Sequence, residues 1–236
     1  MLEAGRRAIR IVGLAMGASL FSLAMAGPAG AELVVSQLIV EFKAGPSRTA
    51  DIEILNNGDE RSYVVVEPRE LIKPGTPLEQ RVATPDPAKL GLLVSPARFI
   101  LEPRQRRTLR VSAIGAAADQ ERVYRVAVKP VTGEVAGSES GLKLLVGYDL
   151  LILVRPPVIR NSIRSERNGT RLTLTNEGNA SVELAEGKQC EASGKDCRAL
   201  PAKRLYAGAS WTQELARPGG GEYRLRSAEG WSSLKF

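Results

Sequence analysis

Apolar and polar residues alternate along much of the chain, and the pattern is clearest in residues 141–157. This segment has apolar side chains at every second position from Leu142 to Leu150 and is then continuously apolar as far as Val154. A period of two predicts a β-strand. Two interpretations are open: a central strand buried on both faces, or an exposed apolar row that awaits a partner strand.

Shorter alternating runs separated by turn residues predict further strands, and none has a sustained helical period. The first runs are Leu33–Phe42, Thr49–Leu55, Ser62–Glu67, Arg98–Leu101, Thr108–Ala113 and Val123–Val131. The later runs are Arg171–Thr175, Ser181–Ala185, Arg204–Tyr206, Tyr223–Ser227 and Trp231–Phe236. Residues 74–91, rich in Pro, Gly and Thr, are predicted as a loop between sheets. The spacing of the runs predicts an all-β protein built from sandwiches.

A pair of prolines, Pro156 and Pro157, follows the long strand directly. Proline cannot donate a hydrogen bond to a β-ladder and restricts the residue before it, so a strand naturally ends there. With 236 residues the chain can hold two cores. We therefore predict a first domain over residues 32–156 and a smaller second domain over residues 157–236.

The first 31 residues have the features of a cleaved secretory signal. Arginines at positions 6, 7 and 10 precede an apolar run over residues 11–25, and small residues follow up to Ala31. We expect cleavage between Ala31 and Glu32, and export to the periplasm. The alternative is a permanent membrane anchor, but the run is short and contains Gly13 and Gly17. No later segment is long enough to span a bilayer, so we expect no stable membrane insertion after cleavage.

The two cysteines of the chain, Cys190 and Cys197, lie close together in the second domain. In an oxidising compartment they are expected to form a disulfide that closes a short loop. A redox or metal site is the alternative, but the six-residue spacing and the absence of His argue against it.

Composition narrows the classes of function. The chain has 33 basic and 26 acidic residues and a formal net charge of +7, but the basic residues are scattered. Scattered charge favours solubility, so we expect no nucleic-acid partner. There is no His, which removes the usual general base and most zinc and copper sites. We therefore expect no enzyme activity and no metal or other cofactor.

Several stretches, in order, resemble one family. Leu93–Val111, LVSPARFILEPRQRRTLRV, is similar to the signature of the periplasmic chaperones of the chaperone-usher pilus pathway. Val123–Val126, Arg155-Pro156 and the Asn-rich turn Leu174–Asn179 follow at matching positions. The short second domain and its cysteine loop resemble most the alpha, or alternate, branch of the family, which serves colonisation-factor-type fimbriae.

The resemblance implies two immunoglobulin-like β-sandwich domains set at an angle, with fimbrial subunits and an outer-membrane usher as partners. A chaperone of this family lends its long edge strand to a subunit whose own sandwich lacks its last strand, a donor-strand mechanism. Alignment on Arg155-Pro156 places the inserting side chains at positions 142, 144 and 146. We predict a subunit-binding row that includes the whole alternating face: Leu142, Leu144, Val146, Tyr148 and Leu150.

The family also binds the terminal carboxylate of the subunit through an Arg on the first strand and a Lys four residues before the Arg-Pro pair. In this sequence the second position is Leu151, and Gln37–Val40 contains no basic residue. The candidates for a replacement anchor are Arg125, Lys43 and Lys129. Each could instead be a solvated strand residue.

By the same resemblance, Arg155 is expected to join an ion cluster that fixes the angle between the domains. Glu121 lies where the acidic residue of the first domain should be, and Glu229 is the candidate from the second domain. A surface ion pair without consequence is the alternative.

Two other classes of function are alternatives. A secreted immunoglobulin-like adhesin or sugar-binding module would use exposed aromatic residues, for which Trp211 and Trp231 are the candidates. A periplasmic hydrolase would need a nucleophile motif or a metal-ligand cluster, and the sequence has neither.

Overall fold

The computed structural model describes residues 33–45, 47–131, 145–191 and 196–236. The first ten strands are β1 (Leu33–Val35), β2 (Ile39–Phe42), β3 (Thr49–Asn56), β4 (Ser62–Ile72), β5 (Gln80–Val82), β6 (Leu92–Ser95), β7 (Arg98–Leu101), β8 (Arg106–Ala113), β9 (Arg122–Val131) and β10 (Tyr148–Val154). The others are β11 (Ile163–Asn168), β12 (Arg171–Asn176), β13 (Val182–Gln189), β14 (Arg198–Leu200), β15 (Lys203–Leu205), β16 (Ser210–Glu214), β17 (Glu222–Ser227) and β18 (Gly230–Lys235). One short helix, α1 (Pro87–Leu90), lies between β5 and β6.

Strands β1 to β10 form a sandwich of two sheets. One sheet has the order β1-β3-β8-β6, and the other has the order β2-β10-β9-β4-β5, with β7 also paired to β4. Alternate side chains of both sheets point inward and form one apolar core, in which Ile52, Leu109, Val126 and Ile152 are fully buried. Strand alternation is therefore what builds this core.

Strands β11 to β18 form a second, smaller sandwich. Its sheets have the orders β11-β12-β16 and β14-β13-β17-β18, with β15 also paired to β13. Leu172, Leu184 and Tyr223 are fully buried between them. The all-β fold of two sandwiches is as predicted. The passage from one to the other falls between Val154 and Ile163, and the domain boundary after residue 156 remains a proposal.

The predicted first strand, Leu33–Phe42, is in fact two strands that belong to different sheets. β1 pairs with β3, whereas β2 pairs with β10. Between them Ser36 bonds to β3: its N–H donates to the Glu53 carbonyl at 2.9 Å, and its hydroxyl accepts from the Glu53 N–H at 3.0 Å. The inward side chain is Leu33 in β1 but Val40 in β2, so the alternation shifts by one position where the chain changes sheets.

Residues 74–91, predicted as loop, contain β5 and α1. β4 continues past its predicted end to Ile72 and forms a hairpin with β5. α1 begins after Asp86, whose side chain accepts a hydrogen bond from the Ala88 N–H at 2.9 Å, an N-cap interaction. It ends at Gly91, whose φ of 77° is left-handed and favours glycine.

Cys190 and Cys197 form a disulfide with an S–S distance of 1.97 Å, which confirms the predicted pairing. Closing a loop of this length contributes about 2 to 3 kcal/mol in the chain-entropy account. Within the described ranges, no helix has the length and apolar character needed to cross a bilayer.

Candidate functional site

Strand β10 has an edge that is only partly covered. β9 pairs with it along its full length, Tyr148 to Val154, but β2 pairs with it only from Leu151 onward. The Leu151 N–H donates to the Leu38 carbonyl at 2.8 Å, which marks the start of the covered part. Since backbone groups of alternate residues point to the same side, the N–H and C=O of Asp149 point toward the uncovered edge. Among the described strands none pairs with that side of residues 148–150.

The predicted row of apolar side chains does not form one exposed face. Leu150 is 0% exposed and belongs to the core of the first sandwich, so its assignment to the subunit-binding row is wrong. Tyr148 is half-buried, packs against the same core and donates its hydroxyl to the Leu33 carbonyl at 2.8 Å. Val146 is 50% exposed and is accessible to a partner. Leu142 and Leu144 lie outside the described residues.

The reason for this difference is that β10 is covered on both faces from Leu150 onward. The even-numbered side chains enter the first core, whereas Leu151 and Leu153 face the other way and pack in the cluster that continues into the second sandwich. The interpretation as a doubly buried strand therefore applies to residues 150–154. An exposed donor segment remains a prediction for residues 142–146.

On the outward face of the same sheet, register places four residues in one row: Ile39, Leu151, Arg125 and Arg69. Arg125 is thus the direct cross-strand neighbour of Leu151, the position where the family resemblance expects a basic residue. Its Nη1 donates to the Asp149 carbonyl at 3.3 Å. Its Nε is buried and has no hydrogen-bond partner in the described part of the chain. The guanidinium therefore lies at the uncovered edge with unused donor capacity.

The surrounding basic residues are paired with carboxylates. Arg69 contacts Glu67 at 3.1 Å, Lys129 contacts Glu67 at 2.7 Å, and Arg81 contacts Asp149 at 3.3 Å. The hydrogen bond from Lys129 holds the pKa of Glu67 below its usual value. Arg125, by contrast, has no ion pair among the residues that the structure describes.

The other two anchor candidates lie elsewhere. Lys43 follows the last residue of β2, which pairs with Val154 at the far end of the covered part of β10. Lys129 follows Val128, the partner of Tyr148, and its charge is compensated by Glu67. The structure thus brings Arg125, and not Lys43, to the point where the covered edge begins.

Arg155 lies in a buried ion cluster between the two sandwiches. Its Nη1 donates to Glu121 and to the Ser181 carbonyl, the latter at 2.9 Å, and its Nη2 donates to Glu41 at 3.0 Å. The side chains of Arg155 and Glu121 are 2% and 1% exposed. The alternative of a surface ion pair is therefore wrong for this pair.

Glu229 does not take part in this cluster, contrary to prediction. Its carboxylate accepts a hydrogen bond from the Asn161 side chain at 2.6 Å and is exposed. The second sandwich contributes Ser181 instead, through its carbonyl and its hydroxyl. Glu41 and Ser181 carried no sequence signal, because an acid on a short strand and a serine before a strand are both ordinary surface residues.

Burial raises the pKa of Glu121, and the positive charge of Arg155 opposes that shift. We take the net direction as upward, because Arg155 is shared between two carboxylates and so compensates each of them incompletely. Further contacts fix the two sandwiches together. The Glu121 N–H donates to the Asn179 carbonyl at 2.8 Å, and the Asn179 side chain donates to the Asp119 carbonyl at 2.7 Å.

The aromatic candidates for sugar binding are both engaged. Trp211 is half-buried and packs edge-on against Tyr223 with ring centroids 6.4 Å apart. Trp231 is 51% exposed but lies under the guanidinium of Arg224 at 4.4 Å. Within the described ranges no cluster of side chains has the composition of a metal site.

Comparison with known proteins assigns the fold and this site to a class. Residues 32–160 match the family described as "Pili and flagellar-assembly chaperone, PapD N-terminal domain". The match covers more than half of the chain, and the chain belongs to this family of pilus-assembly chaperones. The family is one of chaperones and not of enzymes, and its members are periplasmic.

Individual relatives agree with the assignment. The chain is 25% identical to a CS1 fimbrial protein of Escherichia coli over 213 residues, which is 86% of this chain and 88% of the relative. Among solved structures it is similar to the class 5 fimbriae chaperone CfaA, with a TM-score of 0.65, 21% identity and coverage of 86% of this chain and 98% of the other. It is also similar to a structure of the Salmonella enterica SafA pilin in complex with the SafB chaperone, with a TM-score of 0.62, 19% identity and coverage of 89% and 98%.

These matches confirm the predicted fold of two immunoglobulin-like sandwiches set at an angle. The protein is a chaperone that assists the assembly of pilus subunits, and its partners are fimbrial subunits and, by the standard pathway of the family, an outer-membrane usher.

Proposed function

We propose that this chaperone holds an incomplete fimbrial subunit at the uncovered edge of β10 and completes the subunit's sheet with the segment that leads into that strand. The observation that carries the proposal is the interrupted pairing: β9 covers β10 throughout, but β2 covers it only from Leu151. An unpaired edge next to an exposed apolar residue, Val146, is what strand addition requires.

The energetics suit a complex that must later be released. Backbone hydrogen bonds along the edge give affinity with little dependence on sequence, and the alternate side chains give specificity. Each Leu or Val that becomes buried contributes roughly 1.5 to 3 kcal/mol before ordering costs. Because Leu150 is in the core, the row that can enter a subunit is proposed to be Leu142, Leu144 and Val146, with Tyr148 fixing the strand to the chaperone through Leu33.

Arg125 is proposed as the anchor for the carboxylate at the end of the subunit chain. A partner strand on the uncovered edge cannot continue past Leu151, because the Leu38 carbonyl already occupies that N–H. The partner chain must therefore stop or turn beside Asp149, where the Arg125 guanidinium lies. The present bond of Arg125 to a neutral carbonyl at 3.3 Å is long, and a carboxylate would replace it with a charge-assisted bond.

The mature protein is proposed to begin at Glu32 and to act in the periplasm, as the sequence of residues 1–31 and the family indicate. Residues 1–31 lie outside the described residues. The domain limits are proposed to be 32–156 and 157–236, since the buried Arg155 cluster lies where the first sandwich ends.

The anchor is tested by a double-mutant cycle. The affinity for the subunit is measured for parent chaperone and for Arg125→Ala, each with the subunit's natural carboxyl end and with an amidated end. A charge-assisted bond of about 1.5 to 3 kcal/mol predicts a loss of roughly 10- to 150-fold for Arg125→Ala, and little further loss on amidation. Lys43→Ala is the matched control and is expected to bind like the parent.

Losses that add fully would overturn the assignment to Arg125, because independent effects show that the two groups do not interact. If Lys43→Ala shows the coupling instead, the anchor is at Lys43.

A further inference from the structure

The sheet β14-β13-β17-β18 of the second sandwich carries a row of unlike residues on its outward face. Arg204 pairs in register with Glu183, Glu183 with Arg226, and Arg226 with Trp231. Residues opposite each other in antiparallel strands point to the same side of the sheet, so these four side chains share one face.

The two ends of the row differ in what they leave available. Glu183 is engaged by Arg204 at 3.0 Å. Arg226 is exposed and has no ion pair or hydrogen bond of its side chain among the described residues. Trp231 is 51% exposed, and its ring is held from one side by the Arg224 guanidinium at 4.4 Å. The row therefore presents an unpaired positive charge beside an oriented aromatic ring.

The row lies at the end of the second sandwich that is nearest the first. Ser181, two positions before Glu183, accepts hydrogen bonds from Arg155 in the buried cluster. At the other end of the row, Glu229 in the β17–β18 turn accepts a hydrogen bond from Asn161, shortly after the chain leaves the first sandwich.

The face also points toward Arg125. Tyr206, two positions after Arg204, packs in the cluster with Leu151 and Leu153. Burial raises the pKa of Tyr206, while the positive charges of Arg125 and Arg204 both act to lower it. Both guanidinium groups therefore lie near one hydroxyl, and the row on the second sandwich faces the same space as the uncovered edge of β10.

We infer that the face formed by Arg226 and Trp231 is a second contact surface for the fimbrial subunit held at β10. This inference rests on the proposed function. The subunit surface that fits it carries an acidic side chain next to an apolar group, because Arg226 supplies an unpaired charge and Trp231 an apolar ring. Trp and Arg are the residue types that contribute most to protein interfaces, and a contact here would bind the subunit on two sides.

The test uses the full chain in a 1:1 complex with its subunit. Trp231→Ala and Arg226→Glu are each expected to weaken binding roughly tenfold or more. Arg171→Glu, an exposed arginine on β12 of the other sheet, is the matched control and should change the affinity less than about twofold. Trp231→Phe keeps an aromatic ring and should retain most of the affinity. A photo-crosslinking residue at position 231 should react with the subunit, and one at position 171 should not.

Val146→Asp separates this inference from the proposed function. If Val146→Asp loses binding while Trp231→Ala and Arg226→Glu bind like the parent, the second surface is overturned and the donor strand stands. If Val146→Asp binds like the parent, the proposed function fails. If Trp231→Ala leaves the affinity for the subunit unchanged but turns a dimeric free chaperone into a monomer, the face binds a second copy, and the inference is wrong.

Discussion

Replacing Val146 by Asp is expected to abolish capture of the subunit while leaving the free chaperone folded. Val146 is 50% exposed, so the free protein already leaves half of this side chain in water. Covering the rest in a groove of the subunit is worth about 1 kcal/mol, half of the value for burying a whole Val. A carboxylate carried into that groove without a partner must be protonated, which costs about 4 kcal/mol at neutral pH from the usual pKa of Asp.

Together these effects predict a loss of about 5 kcal/mol, or more than a thousandfold in affinity. The matched control is Val82→Asp, because Val82 is 42% exposed and lies on β5, at the opposite edge of the same sheet. Calorimetry of complex formation and thermal unfolding of the free variants are the two assays. Equal affinity of Val146→Asp and Val82→Asp would refute the reasoning.

Leu150 gives the opposite outcome, since its side chain is 0% exposed. Leu150→Ala should destabilise the free protein by about 2 to 5 kcal/mol. Leu150→Asp adds the burial of a carboxyl group and should unfold the first sandwich. A Leu150→Asp variant that melts like the parent would show that β10 is not packed as the structure has it.

Three further predictions concern stability and processing. Glu121 has a raised pKa through burial, so its folded form holds a proton more tightly than its unfolded form; the stability of the parent relative to Glu121→Gln should fall as the pH rises from about 5 to 8, and a relative rise would contradict the upward shift. Thiol titration of the unfolded, unreduced protein should find no free thiol, and Cys190→Ala with Cys197→Ala should cost about 2 to 3 kcal/mol of stability. The intact mass of the exported protein should correspond to a chain that begins at Glu32, and a mass that retains residues 1–31 would support the anchor.

Most of the fold was predictable because half-buried strands alternate visibly, as in β3, β4, β8 and β9. β11, Ile163–Asn168, was missed because it is an exposed edge strand whose residues are mostly polar, so no alternation remains to detect. The division between β1 and β2 was missed as well. Its signal is a shift of one position in the alternation, and an apolar Leu38 and Ile39 at the junction conceal it.

The site was predictable where chemistry fixes a residue type and was not where partners are chosen by the fold. Arg155 and Glu121 were found because a charged pair follows the resemblance. Ser181 was not, since it acts through its carbonyl as well as its hydroxyl, and a carbonyl carries no sequence signal. Leu150 was misassigned because alternation shows which residues share a face but not whether the face meets a partner or the protein's own core.

Hydrogen exchange of the β10 amides, in the free chaperone and in its complex with the subunit, tests the central claim most directly. The Asp149 N–H points to the uncovered edge, whereas the Leu150 N–H points to β9 and serves as an internal control. Strand addition predicts that complex formation slows exchange at Asp149 by at least about tenfold and changes Leu150 little. Unchanged exchange at Asp149 in a saturated 1:1 complex would contradict donation of this edge to the subunit.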